Sequence, residues 1–205
     1  MAKFKSRVVF SLKRRVVWFS GEIRAGTADK AISALRKLNR TEGPICFYLS
    51  GPGGDFKHCY RIGKEIENSP NPVAGIAHGE LRSACFVLTQ FFRVCVGVRG
   101  STFGFHRAAR ETTLAIAKST VLTQDDLQKE MDRLRFMDAI QATLFYQRVK
   151  DFESIFELLH GDKVLSLKEA IKLKFIDGRF DRYEEFLYDK RLALAISRNE
   201  SKRRP

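Results

Sequence analysis

Two successive stretches of this chain each pass from a short apolar run into a glycine turn and then into a helical pattern. Residues 45–49 lead into Ser50-Gly51-Pro52-Gly53-Gly54-Asp55, and a helical pattern follows to about residue 68. Residues 73–77 lead through Gly79 to a second helical pattern at 83–92. An apolar run of β-formers without polar alternation suits a strand covered on both faces. Strands of that kind joined by helices pair in parallel, because the helix supplies the crossover that a parallel pair needs. The expected class is therefore α/β with mostly parallel pairing.

The flanking segments fit the same plan. Strands are expected at 7–10 and 15–20 around a turn at 12–14, and at 93–98 and 102–105. A helix capped by Thr27 or Asp29 should run to about Asn39, with Ile32, Leu35 and Leu38 on one face. Further helices are expected at 124–150, 152–159 and 166–173, and a tail that starts helical at Tyr183 and turns basic. The chain reads as a single domain over 1–205, with a core at about 16–178, a helical extension at about 123–159 and a basic tail at about 190–205. Within the extension Leu127, Met131, Leu134 and Met137 recur on one helix face, as a core or oligomer stripe does.

With 205 residues, 44% hydrophobic and 30% charged, the chain can bury a core without a metal or disulfide staple. Its 37 Lys and Arg against 24 Asp and Glu give a formal charge of +13, which attracts anionic partners in general. The excess is spread along the chain, and neither an aromatic-interleaved RNA motif nor a zinc-finger spacing is present, so no specific nucleic-acid binding is expected. Cys46, Cys59, Cys85 and Cys95 form no CxxC pair and no zinc pattern. Cys46 and Cys95 sit in apolar runs as buried thiols would, and the count leaves one or two disulfides open. The N-terminal stretch has no uninterrupted apolar core, so no signal peptide and no membrane span are expected, and a cytoplasmic location follows. No cofactor and no metal are expected.

A glycine turn ahead of a helix exposes N–H groups beside the positive end of the helix dipole and suits an anion. Here it can serve as an oxyanion hole, as a phosphate site, or as a turn with no ligand. The spacing is neither GxGxxG nor a P-loop. Ser83, at the second turn, is either a helix N-cap or a nucleophile exposed at a strand-to-helix bend. A serine nucleophile needs a base, and the histidines are His58, His78, His106 and His160. His106 follows the short strand at 102–105, and strand ends in α/β sheets carry sites.

Several of these segments together resemble the proteolytic subunit of the Clp proteases, within the wider crotonase superfamily. Residues 45–54 are similar to that family's strand and Ser-Pro-Gly-Gly turn, and Gly79 with Ser83 to its Gly-x-x-x-Ser nucleophile turn. Gly104-Phe105-His106 is similar to the strand that ends in its catalytic histidine. The stretch from Asp162 to Ala170 resembles its Asp-x-x-Leu-Ser-x-x-Glu-Ala segment, and Phe175-Ile176-Asp177 its end. The wording around Ser83 and His106 is closer still to a poorly characterised Clp-protease-like branch.

The resemblance implies repeated β-β-α units, with 123–159 as a helical handle. It implies a Ser–His–Asp triad of Ser83, His106 and Asp162, with the backbone N–H groups of Gly54 and Ala84 holding the oxyanion. Gly53, Arg82 and Arg107 would line the substrate. It also implies a peptide or protein substrate, a homo-oligomer and an AAA+ unfoldase partner. Leu81 and Arg82 stand where the family has small residues, so Arg82 would either crowd the acyl pocket or select an acidic substrate. Residues 107–118 hold no glycine, where the proteases have a Gly-rich substrate strand. Two other functions share this pattern: a scaffold with a decayed site, and an acyl-CoA enzyme using the same oxyanion hole.

Overall fold

The computed structural model describes residues 6–105, 124–160 and 163–180. The expected C-terminal helix and basic tail lie outside the described residues. The chain divides into two compact units, Met1–Gly104 with Val164–Pro205, and Phe105–Lys163.

The first unit is built on an eight-stranded sheet. Its strands are β1 (Arg7–Ser11), β2 (Val16–Ile23), β3 (Ile45–Gly54), β4 (Val73–Arg82), β5 (Val94–Val98), β6 (Thr102–Gly104), β7 (Val164–Ser166) and β8 (Gly178–Phe180). The order is β1-β2-β3-β4-β5-β8, with β6 pairing β4 and β7. β2 to β5 and β8 pair in parallel, as does β6 with β4, whereas β1 and β7 are antiparallel to their neighbours β2 and β6. The mixed α/β class with a mostly parallel sheet is thus the observed one.

The helices are α1 (Ala25–Leu38), α2 (Phe56–Glu67), the five-residue α3 (Ala84–Leu88) with a 3₁₀ turn at Thr89–Phe91, and α6 (Leu167–Lys172). α2 starts where Asp55 accepts from the N–H groups of Lys57 (2.7 Å) and His58 (3.3 Å). α1 starts earlier than the sequence suggests, with Arg24 and not Thr27 or Asp29 at the cap position. Thr27 sits inside the first turn, where its hydroxyl accepts the Arg24 N–H at 2.9 Å, the reach-back that a capping box makes from its third residue. α6 carries the usual form of that box, with Ser166 and Glu169 as reciprocal partners.

Both sheet faces are apolar. Val16, Tyr48, Ala74, Ile76, Val94 and Val96 form one buried cluster. The residues that alternate with them hold a row of rings, with Phe19 and Phe47 at 6.4 Å between centroids and Phe47 and Phe92 at 5.5 Å. Burying one such side chain contributes about 1.5–3 kcal/mol, so these rings are a large share of what fixes the layers. Phe92 reaches the sheet because Gly75, the register partner of Phe47, has no side chain. A Cβ there would lie 2.4 Å from the Phe92 ring.

The second unit holds α4 (Gln124–Val149) and α5 (Phe152–His160). Leu134, Leu144, Phe145, Val149, Ile155 and Leu158 are buried, and Phe105 meets Phe145 edge-on at 4.8 Å. Asp151 starts α5 by accepting from the N–H groups of Glu153 and Ser154. The apolar stripe expected on α4 is divided: Leu134 is in the core, Met131 is 47% exposed, and the Leu127 side chain lies outside the described residues. Among the described residues no helix is long and apolar enough to cross a membrane.

Gly75→Ala is expected to lower stability by about 1–3 kcal/mol through overpacking. The measurement is the urea midpoint, which should fall with the m-value unchanged.

Candidate active site

β4 changes partner along its length. Ala74–Ala77 pair with β5, and Glu80–Arg82 pair with β6. The exchange occurs at Gly79, whose φ of +66° belongs to the left-handed region. Beyond the bend Leu81 is the register partner of Gly51 on one side and Phe103 on the other, and the next residue after the strand is Ser83.

Ser83 is half-buried, and its N–H donates to the Gly104 carbonyl at 2.8 Å. Its backbone lies at φ 48° and ψ −125°, a sparsely populated conformation for a residue with a side chain. A capping serine has extended backbone and an oxygen that accepts from the first helical turn. Ser83 has neither: its side chain makes no cap hydrogen bond. Its carbonyl instead accepts from Phe86 and Val87, at 2.9 and 3.0 Å. The capping role is therefore set aside, and the hydroxyl is not used to hold the helix.

The glycine turn lies directly against this bend. It is not a loop; it continues β3, with Gly54 in register with Ile23. Gly53 has φ +107°, and a Cβ on it would stand 2.7 Å from the Ser83 Cβ and 3.0 Å from the Ala84 nitrogen. The Gly53 N–H donates to the Cys85 sulfur, and the Asp55 N–H donates to the Ile23 carbonyl at 2.8 Å. Gly54 lies between those two committed amides. Ala84 opens α3, so its N–H has no partner within the helix. α3 is shorter than the expected 83–92 helix: the Thr89 hydroxyl takes the Phe86 carbonyl at 2.6 Å, and the chain tightens into the 3₁₀ turn.

Two thiols sit beneath the turn, signalled in the chain order only by the place of Cys85 two residues after Ser83. The Cys59 thiol donates to the Ala84 carbonyl at 3.1 Å. Burial pushes the Cys85 thiol up to about 12, against the Gly53 N–H that favours its thiolate, and burial first of all holds Cys59 well above its ordinary range. Both are neutral packing groups rather than nucleophiles. All four cysteines are free, so the disulfides left open by the count are not formed.

Arg82 is exposed, pairs with Glu80, and lies over Gly104, with its Cγ 3.3 Å from where a Gly104 Cβ would sit. Of the histidines, His58 faces Arg61 at 3.1 Å, and Arg61 is in turn paired with Asp29. His78 is half-buried in β4, and desolvation holds its pKa below 6.5. His106, Arg107 and Asp162 lie outside the described residues, as does the side chain of His160. The structure thus brings Ser83, Ala84, Gly53 and Gly54 together and leaves the base and the acid to be inferred.

Ser83 thus sits on a strained strand-to-helix bend with Gly53 packed directly against it. The chain belongs to the Clp protease family, whose model matches residues 3–181. Among solved structures it is similar to a ClpP1 mutant from Listeria monocytogenes, with a TM-score of 0.69 and 18% identity, over 84% of this chain and 95% of that one. No curated protein sequence matches it. The fold is that of a Clp-type peptidase.

Gly53→Ala is expected to lose at least about 1 kcal/mol, because alanine is strained at that φ and has no room beside Ser83. Thermal unfolding of the variant checks this. His78 supplies a pH dependence. The unfolded chain takes up a proton as pH falls through 6.5, and the folded chain resists it, so stability should drop below pH 6.5 and level off once folded His78 is also charged. In His78→Gln that part of the stability–pH slope should vanish, as read by urea midpoints between pH 5 and 8.

Proposed function

We propose that this chain is a serine peptidase in which Ser83 attacks the peptide carbonyl, His106 is the general base and Asp162 orients the imidazole. The observation that carries the reading is the strained strand-to-helix bend at Ser83, whose hydroxyl caps no helix. Thr102 pairs with Ser166, Phe103 with Leu165 and Gly104 with Val164. Gly104 also holds the Ser83 N–H, so His106 is two residues from a position already bonded to the nucleophile.

The chemistry then follows the triad pattern. The Ser83 Oγ bonds to the carbonyl carbon as its proton passes to His106, and the carbonyl oxygen becomes an oxyanion held by the Gly54 and Ala84 N–H groups. The C–N bond breaks as His106 returns the proton to the departing amine, leaving an acyl-serine. Water, deprotonated by His106, releases the acid and restores Ser83. One oxyanion donor is worth about 3 kcal/mol of barrier. The uncommitted hydroxyl of Ser83, its strained backbone and the unpartnered Ala84 amide support this reading over a serine that only caps a helix.

Gly53, Arg82 and Arg107 would line the substrate. Arg82 places a cation beside the nucleophile, tempered by Glu80, which favours a peptide with acidic residues near the scissile bond. By its membership of the family we take the working form to be a cytoplasmic homo-oligomer acting on peptides or on proteins delivered by an AAA+ unfoldase.

A fluorophosphonate probe is expected to add one adduct mass to the folded wild type and none to Ser83→Ala. His106→Ala should slow the labelling by about 10²–10⁴-fold, the usual contribution of a general base. A folded wild type that stays unlabelled would sink the proposal and favour a scaffold with an inactive site.

A further inference from the structure

In the first unit the β5–β6 connection, the start of α6 and β8 enclose a cavity of about 520 Å³. That volume is within the usual range for a small-molecule site, about 300–1,000 Å³. Arg99, Lys168 and Arg179 line it, and among the described residues no carboxylate does. Neither Arg99 nor Lys168 takes part in an ion pair with a described residue. The floor includes Leu167, which is buried, and Ile171, which is half-buried, and the half-buried Thr102 offers a hydroxyl at the wall.

The larger groove between α1 and α2 differs in this respect. It is also rich in cations, but Arg36 is held by Glu65, Arg61 by Asp29 and Lys64 by Glu67, at 2.9, 2.8 and 2.7 Å. Three of its cations are thus paired, whereas no described residue in the wall of the Arg99 cavity is a carboxylate. Cations converging over an apolar floor select an anion with an apolar body, the charged end meeting guanidinium and ammonium groups and the body covering the aliphatic side chains.

We propose that this cavity is a binding site for a small organic anion, of the phosphomonoester class, and that its occupancy is felt at Ser83 through β6. The strand is three residues long. At its start Thr102 lines the cavity, and the adjacent Ser101, also in the wall, is buried and donates to the Ala77 carbonyl at 3.1 Å, just before the bend of β4. At its end the Gly104 carbonyl holds the Ser83 N–H at 2.8 Å. A ligand that fixes the 99–102 connection therefore restrains both sides of the bend. The inference does not depend on Ser83 being a nucleophile, because both of its readouts are structural.

The test uses the full chain and phenyl phosphate as the probe, with inorganic phosphate and phenol as controls for the two halves of the ligand. Phenyl phosphate should raise the melting temperature saturably, and inorganic phosphate should do so only at higher concentration. Phenol should do nothing. Arg99→Gln and Lys168→Gln, both at exposed positions, should keep the ligand-free melting temperature and weaken phenyl phosphate binding by about tenfold each, as expected for loss of one charge-assisted contact. Hydrogen exchange at the Ser83 amide should slow when the cavity is filled. A stabilisation that does not saturate, or that is undiminished in both variants, would show general ionic screening and overturn the site. Saturable binding with unchanged exchange at Ser83 would overturn the link to β6.

Discussion

At Gly79 the strand β4 leaves β5 and takes up β6, and the hydrogen bonds on the two sides of that bend hold Ser83 where it is. A parallel strand that kept one set of partners would deliver its last residue into an ordinary connection. The exchange of neighbours brings the end of β4 between two other chain segments, the glycine end of β3 and the carbonyl of Gly104. The strain at Ser83 is of the order of 1–3 kcal/mol. It persists because those two neighbours are themselves fixed, β3 by its pairing with β2 and β6 by its pairing with β7.

The site and the core are therefore one construction. The aromatic row of Phe19, Phe47 and Phe92 fixes the layers, and Phe86 meets both Phe103 of β6 and Phe175 beyond α6. Phe86 is three residues after Ser83, so the helix that presents the Ala84 amide is anchored by rings that also locate β6. Gly53, meanwhile, is close enough to Ser83 and Ala84 that nothing larger than hydrogen fits between them. Below them the Cys59 thiol donates to the Ala84 carbonyl, and Cys85 accepts the Gly53 N–H.

Much of the fold could be read in the sequence because its central strands are covered on both faces. The runs at 45–49, 73–77 and 93–98 carry continuous apolar patterns, and only a buried strand suits such short ones. What sequence periodicity could not reach were features set by distant chain. Nothing local says that the Gly51–Gly54 segment is a paired strand rather than a loop, since its partner is β2. Nothing local says that Ser83 adopts a positive φ, since serine in isolation prefers to cap. The pairing of β6 with β7 joins segments about sixty residues apart. The start of α1 was misplaced because Thr27 acts from inside the helix, reaching back as a Glu would, and a pattern search for caps looks for threonine outside it.

The conformation of Ser83 also bears on how such a chain can change over time. At φ 48° the residue best suited to the backbone is glycine, so exchanging this serine for glycine would remove the hydroxyl while relaxing the main chain. Chemistry and architecture are thus uncoupled at this one position. A lineage could lose that hydroxyl in a single step and keep the scaffold.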